Sequence, residues 1–304
     1  MCLKVLVTGS SGLIGSALLA ELERGGNSVH VLVRRESQRG PNAIFWNPAS
    51  AILKTSDLEG FDAVVHLGGE SLAAGRWTQS RIRSIRESRI TSTQLLCRTL
   101  TKLSHPPRVL ACASAIGFYG SRADEMLTEE SAAGSGFLAE LGVEWEEAAK
   151  SALDSGIRVV SLRFGLVLSS DGGALEKMLT PFRFCLGGPL GTGRQFWSWI
   201  AIEDAIRAIC HTLETANLSG PVNIVSPQPV SNREFTKTLG SVLSRPAICA
   251  VPSAVLRVAM GRMADEALLS SARVKPERLI ETGFEFRHPD LTGALEHLLK
   301  RESE

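Results

Sequence analysis

No apolar run in this sequence approaches the ~20 residues that a membrane-spanning helix needs, so no membrane partner is expected. Excess charge of either sign is also missing. The 33 basic and 32 acidic residues leave a formal net charge of +1, spread along the chain. That balance gives no footing for a nucleic-acid partner or an anionic membrane surface. No signal or transit peptide is expected ahead of the first strand, which begins at Leu3. The six cysteines, at 2, 97, 112, 185, 210 and 249, have no CxxC spacing and mostly sit among apolar neighbours. They read as small, reduced core residues of a cytoplasmic protein, and neither disulfides nor a metal is expected. Internal repeats and low-complexity tracts are lacking as well.

The chain has 304 residues, enough to bury a full core as one large or two smaller domains. Its most informative stretch is the first fifteen. An apolar strand, Leu3-Lys4-Val5-Leu6-Val7, runs into Thr8-Gly9-Ser10-Ser11-Gly12-Leu13-Ile14-Gly15 and then an apolar-periodic helix. Strand, glycine-punctuated turn and helix in that order open a dinucleotide-binding domain. Gly9 allows the tight turn, Gly12 lets the backbone approach a pyrophosphate, and Gly15 lets the helix lie close on the sheet. A diphosphate would then rest on free N–H groups at the positive end of the helix.

The second strand, Val29 to Val33, ends in Arg34-Arg35. An acidic residue about 20 positions past the glycines takes the ribose hydroxyls of NAD, whereas arginine suits the 2′-phosphate of NADP. Arg34 stands 19 positions after Gly15, and the first acid, Glu36, follows both arginines. The chemistry favours NADP(H). Further on, the buried-type strand Phe61 to Leu67 ends in Gly68-Gly69-Glu70, and His66 reads as a packed strand-end residue without a ligand cluster. A basic helical stretch spans about 78–103. Most of its arginines form a solvated face, but Arg89 shares a side with Ile82 and Ile85 and points toward the sheet. Strands at Val109–Ser114 and Ile157–Phe164 flank a helix over about 136–155. That rhythm implies an α/β, doubly wound parallel sheet of the Rossmann type.

After about residue 170 the pattern changes to a Gly/Pro-rich segment followed by Arg194-Gln195-Phe196-Trp197-Ser198-Trp199. The two tryptophans could form a ligand wall or an aromatic plug between lobes. Residues 1–170 read as the NADP-binding domain, with about 201–225 returning to it. Residues 171–304 read as a smaller, mostly helical substrate lobe with a short C-terminal domain.

These pieces together resemble the extended short-chain dehydrogenase/reductases, the NAD(P)-dependent epimerase/dehydratase group. More narrowly, they resemble its atypical epimerase-like oxidoreductases with a short C-terminal domain of unknown function. Thr8-Gly9-x-x-Gly12-x-Ile14-Gly15, His66-Leu67-Gly68-Gly69-Glu70, Ala115-Ile116-Gly117-Phe118-Tyr119-Gly120, Trp197-Ser198-Trp199-Ile200 and Arg273-Val274-x-Pro276 carry the resemblance. It implies pyrophosphate contacts on Gly9, Ser10, Ser11, Gly12, Leu13, Ile14 and Gly15, and 2′-phosphate contacts on Arg34 and Arg35. It also implies that Leu67, Gly68, Ser84, Arg89 and Val167 flank the adenosine and nicotinamide halves. A small-molecule substrate follows, a sugar nucleotide or a carbonyl compound, and homodimerisation is left open. Where relatives often have His after Trp-Ile, this chain has Ala201.

The catalytic pattern of that group departs here. Its usual members set a Ser or Thr at the end of the fifth strand and a Tyr-x-x-x-Lys pair on the next helix. The lysine brings the tyrosine's pKa from roughly 10 toward the working range. This chain has a single tyrosine, Tyr119, with Ala123 four positions on. On the following helix Gly142 and Glu146 align with the pair, and Ala115 takes the Ser/Thr slot, with Ser114 one residue earlier. The remaining acid/base candidates are Tyr119, Glu146 and Ser114. Two functions stay open: an NADP-dependent epimerase-like oxidoreductase with an unusual proton group, or a non-catalytic NADPH-binding sensor or interaction protein.

Overall fold

The computed structural model describes residues 2–300. Chain order begins with strand β1 (Lys4–Thr8), helix α1 (Leu13–Arg24), β2 (Ser28–Val33), β3 (Ala43–Phe45), β4 (Ala63–His66), α2 (Gln79–Leu100) and β5 (Val109–Ala115). It continues through β6 (Met126–Leu127), α3 (Phe137–Lys150), β7 (Arg158–Phe164), β8 (Leu166–Ser169) and α4 (Gly173–Arg183). The remaining elements are β9 (Phe196–Trp197), β10 (Trp199–Ala201), α5 (Ile202–Glu214), β11 (Gly220–Ile224), β12 (Val230–Ser231), α6 (Asn232–Val242), α7 (Ser253–Met260), β13 (Arg273–Val274), α8 (Glu277–Glu281) and α9 (Leu291–Lys300).

Seven strands join in one sheet in the order β11-β7-β5-β4-β1-β2-β3. Every pairing in it is parallel. Val5, Leu6, Val7, Val64, Val65, Leu110, Val160 and Leu162 have no accessible surface, as near-continuous apolar strands covered on both faces must. Helices α2 and α3 pack together on one face, and α1 and α5 meet on the other. The sheet is the Rossmann-type arrangement implied by the alternating pattern. Strand order reverses beside β1, which puts the carboxyl ends of β1, β4 and β5 along one crevice.

Other short strands pair in twos outside this sheet. β8 runs parallel to β10, β9 pairs antiparallel with β12, and β13 pairs with β6. Helix α6 begins with a capping box: the Ser231 hydroxyl accepts from the Glu234 amide, and Glu234 accepts from the Ser231 amide. The tryptophan pair is a plug. Trp199 is fully enclosed and its indole N–H donates to the Gln228 carbonyl at 3.0 Å. Trp197 lies edge-on to Phe235 of α6, with ring centroids 5.3 Å apart.

The cysteines correct one sequence-based expectation. Cys97 and Cys112 are buried and Cys210 is half-buried, but Cys2, Cys185 and Cys249 are exposed. Apolar neighbours in sequence misled here because they are themselves on the surface: Phe184, Leu186 and Ile248 are 73%, 63% and 80% exposed. Local composition reports burial only when the segment itself is packed.

Trp199→Ala removes the largest fully enclosed side chain and orphans the Gln228 carbonyl. It should lower stability by about 3–5 kcal/mol, read as a lower urea midpoint at unchanged slope.

Candidate functional site

The crevice starts at the glycine turn. Gly9 has φ +70°, a left-handed conformation that favours glycine, and a β-carbon there would lie 2.7 Å from the Leu67 carbonyl carbon. A β-carbon on Gly15 would sit 2.2 Å from the Gly9 carbonyl oxygen. Both glycines are therefore required by close backbone approach. Gly12 differs: its only near neighbour is the Gly9 oxygen at 3.4 Å, so this face of the turn is open. No side chain caps α1 and no acid lies in its first turn. The exposed amide end of that helix suits an anion. Ser10, Ser11, Leu13 and Ile14 continue the rim, and Leu13 also packs on Gly172 and Gly173 at the start of α4.

Arg34 and Arg35 are exposed one and two residues beyond β2, beside the glycine turn. On the other flank, Leu67 and Gly68 follow β4. Residues of α2 fasten this second turn: Ser88 accepts the Glu70 amide and Arg81 pairs with the Glu70 carboxylate, each at 3.1 Å. Ser84 donates to Glu70 Oε2 at 2.6 Å, and Arg89 Nη2 donates to the Glu70 carbonyl at 3.0 Å. Arg89 is buried on the sheet side of α2, its guanidinium 5.0 Å from the Trp145 ring. Burial pulls that guanidinium down to about 10, partly opposed by Glu70, so it stays charged at neutral pH. Val167 lies in β8, paired with Ile200.

His66 links the two turns to the helices. Its Nδ1 is 2.6 Å from Thr8 Oγ1, which also accepts the Gly68 amide at 3.1 Å. Its Nε2 faces Thr93 Oγ1 at 3.1 Å and Ser92 Oγ at 3.3 Å. Both of those hydroxyls donate to backbone carbonyls of α2, and Thr93 also accepts from the Trp145 indole at 3.0 Å. Their lone pairs are what remains for His66, which assigns the proton to Nε2 and leaves Nδ1 to accept from Thr8. Burial pushes the imidazole down to about 4, so the ring is neutral.

The sequence-derived acid/base candidates converge. Register places Ser114 of β5, Arg163 of β7 and Asn223 of β11 side by side. Parallel strands in register turn all three toward the same face, where α3 supplies Glu146. Ser114 donates to Glu146 Oε1 at 2.7 Å. Arg163 grips the same carboxylate with Nε and Nη2, each at 2.8 Å, in the fork geometry that guanidinium offers. Arg163 Nη1 donates to the Tyr119 hydroxyl at 2.8 Å, and Tyr119 donates to Asn223 Oδ1 at 2.7 Å. The Phe118 ring closes over the guanidinium at 3.6 Å.

Ser114 and Glu146 therefore form a direct pair, while Tyr119 joins them only through Arg163 and is fully enclosed. Burial pushes the Tyr119 phenol above its ordinary range, against the pull of Arg163 and Asn223. Gly142, which the family pattern aligns with the customary tyrosine, packs tightly on Phe118: a β-carbon there would meet it at 3.2 Å. Sequence reasoning missed Arg163, Asn223 and Glu129. Glu129 is buried, accepts the Asn223 amide at 3.0 Å, and has its carboxyl raised by burial. One signal for Arg163 was legible: an arginine within the buried part of a strand needs a buried partner.

A cavity of about 410 Å³ opens beyond the Tyr119 turn. Its lining includes Asp124, Thr192, Arg194, Gln195, Ser253 and Arg257. Ser271 of the C-terminal segment closes one side, donating to the Ala123 carbonyl. The size suits a small-molecule site.

Fold and crevice together define a dinucleotide-binding protein of the short-chain dehydrogenase/reductase type. The chain belongs to the NAD dependent epimerase/dehydratase family, whose model matches residues 5–225, and a domain of unknown function (DUF1731) matches residues 251–298. It is 42% identical to the epimerase family protein Mb2239 of Mycobacterium bovis over 98% of either chain. The human epimerase family protein SDR39U1, isoform 2, crystallised with NADPH, superposes with a TM-score of 0.91 at 36% identity. That match covers 98% of this chain and 99% of the human one. A structure described as the nucleoside-diphosphate sugar epimerase from Corynebacterium glutamicum gives 0.81 at 38% identity, covering 98% of this chain and 58% of that one.

His66 sets a pH dependence. Its folded value of about 4 lies below the ordinary 6.5, so the unfolded chain binds the proton first and stability falls as pH drops from 6.5 toward 4. The change is on the order of 3 kcal/mol. His66→Gln should flatten this part of the stability-against-pH curve measured by urea unfolding; an unchanged slope would show that His66 does not supply it.

Proposed function

We propose that this chain binds NADPH and uses it as an oxidoreductase on a small carbonyl compound. One observation carries the reading: the 2.7 Å Ser114–Glu146 hydrogen bond lies at the same carboxyl edge of the sheet as the open glycine turn. The residues present fit the cofactor. Gly9 and Gly15 hold a turn that any β-carbon would break, Gly12 leaves its face open, and α1 presents uncapped amides. Gly9 to Gly15 would cradle the pyrophosphate and Arg34 and Arg35 would meet the 2′-phosphate. Leu67, Gly68, Ser84, Arg89 and Val167 would border the remainder. Human SDR39U1, similar across nearly its whole length and crystallised with NADPH, supports the same choice.

When bound, NADPH supplies a hydride to the substrate carbonyl. The proton that must also arrive is assigned to Ser114. In the oxidative direction a substrate hydroxyl passes its proton to Ser114 Oγ while Ser114 passes its own to Glu146; reduction runs the relay in reverse. Arg163 holds the carboxylate in place, and Tyr119 and Asn223 hold Arg163. The cavity at Arg194 takes the rest of the substrate, with the guanidinium as an anion contact. In this reading residues 1–170 with about 201–225 form the cofactor domain, and the remainder supplies the substrate lobe.

A second reading is a non-catalytic NADPH-binding protein. It is favoured by the enclosure of Tyr119 and by the loss of a tyrosine position at Gly142. Screening NADPH-loaded protein against carbonyl compounds and sugar nucleotides separates the two. Under the first reading Ser114→Ala and Glu146→Gln each lower turnover by about 10²–10⁴-fold with NADPH binding retained. Tight NADPH binding with no turnover on any compound favours the second.

Cofactor choice has its own test. Arg34→Ala should weaken NADPH by about 10–100-fold, the loss of a charge-assisted hydrogen bond, and leave NADH unchanged in calorimetric titration. Equal weakening of both would remove the 2′-phosphate assignment.

A further inference from the structure

Away from the crevice, three side chains with metal-binding atoms meet where α9 crosses the start of α5. The ligand atoms of Glu203, His288 and His297 all lie within 4.8 Å of one another. Glu203 Oε1 is 3.4 Å from His297 Nε2. That separation is close to the edge, about 3.3 Å, of a coordination tetrahedron with 2.0–2.1 Å bonds. We propose that Glu203, His288 and His297 form a binding site for a divalent transition ion of the zinc or nickel class, bridging α5 of the Rossmann sheet to the C-terminal segment.

The donor set selects the ion. Two imidazoles and one carboxylate suit zinc, nickel and cobalt, whereas magnesium and calcium take oxygen ligands almost exclusively. Solvent supplies the fourth position, since the His297 side chain is 41% exposed. The two imidazoles are stacked, with centroids 4.4 Å apart and planes at 26°. Ring nitrogens donate in the ring plane, so a shared ion requires one imidazole to turn, and the exposed His297 has the room.

The backbone beneath the three residues is held independently of any ion. Asp204, fully buried next to Glu203, accepts the Arg287 and His288 amides at 2.9 and 2.8 Å. Arg207 bridges Asp204 Oδ1 and the Glu285 carbonyl. Ser226, just after β11, donates to the Pro289 carbonyl at 2.8 Å. His288 is thus pinned against the α5 start, and α9 brings His297 over it. Only side-chain rotation separates the stack from a chelate. An ion there would tie the segment matched by DUF1731 to the cofactor domain at the carboxyl edge of its sheet.

The experiment uses the full chain carrying Cys2→Ser, Cys185→Ser and Cys249→Ser, so that exposed thiols do not compete for soft metals. After EDTA treatment and dialysis, without cofactor, it is titrated with cobalt(II) chloride, zinc chloride and magnesium chloride. The expected result is one equivalent of cobalt with a tetrahedral visible spectrum, displaced by zinc, and a higher melting temperature with zinc but not with magnesium. His297→Ala and His288→Ala should each weaken zinc by more than the 10–100-fold typical of losing an outer-shell partner. His297→Gln, a conservative surface change, repeats the test should His288→Ala fail to fold. Absence of stoichiometric cobalt or zinc binding, or binding that survives the histidine variants, overturns the site. The readout is independent of NADPH and of turnover.

Discussion

The crevice depends on the fork between Arg163 and Glu146. The side chains are 4% and 12% exposed, so neither charge could stand alone. Removing one partner of such a pair costs about 3–5 kcal/mol, although the intact pair adds little over an apolar replacement. Its contribution is therefore geometric. With both arms of the fork engaged, the carboxylate has one orientation. Ser114 then has a fixed acceptor, and the third guanidinium nitrogen fixes Tyr119. Three strands and a helix are locked in register around one ion pair.

A second constraint runs through His66. The neutral imidazole joins the Thr8 hydroxyl, and through it the Gly68 amide, to Thr93 and Trp145. The two turns that border the crevice are thereby tied to α2 and α3. Arg163–Glu146 and His66–Thr93 occupy neighbouring rows on one sheet face, and both brace α3. Gly142 and Glu146 are the residues that the family pattern aligns with the customary tyrosine and lysine, and in the structure α3 presents the Glu146 carboxylate to Ser114 and Arg163. Phe118 packs against that glycine, 3.2 Å from where a β-carbon would lie.

Much of the fold and part of the site were legible in the chain. Apolar strands, glycine spacing and helix caps act over a few residues, so β1 with its turn, the doubly wound order and the capping box at Ser231 could all be read directly. Ser114 and Glu146 were singled out by alignment with a family pattern, and Arg89 by helical spacing. The cysteines at 185 and 249 were misjudged because apolar neighbours in sequence need not be packed. The open choice for the tryptophans was decided only by the chain that closes over them.

The sequence by itself determined the strand–turn–helix at the N-terminus, the parallel α/β order and the basic end of β2, because each rests on local backbone preference and short-range patterning. Tertiary structure alone decided that Arg163 meets Glu146, that Tyr119 is enclosed, and that Glu203, His288 and His297 converge. Arg163 is 17 positions from Glu146, and Glu203 is 85 and 94 positions from His288 and His297. Strand register and helix docking set their distances, and no local pattern in the chain encodes them.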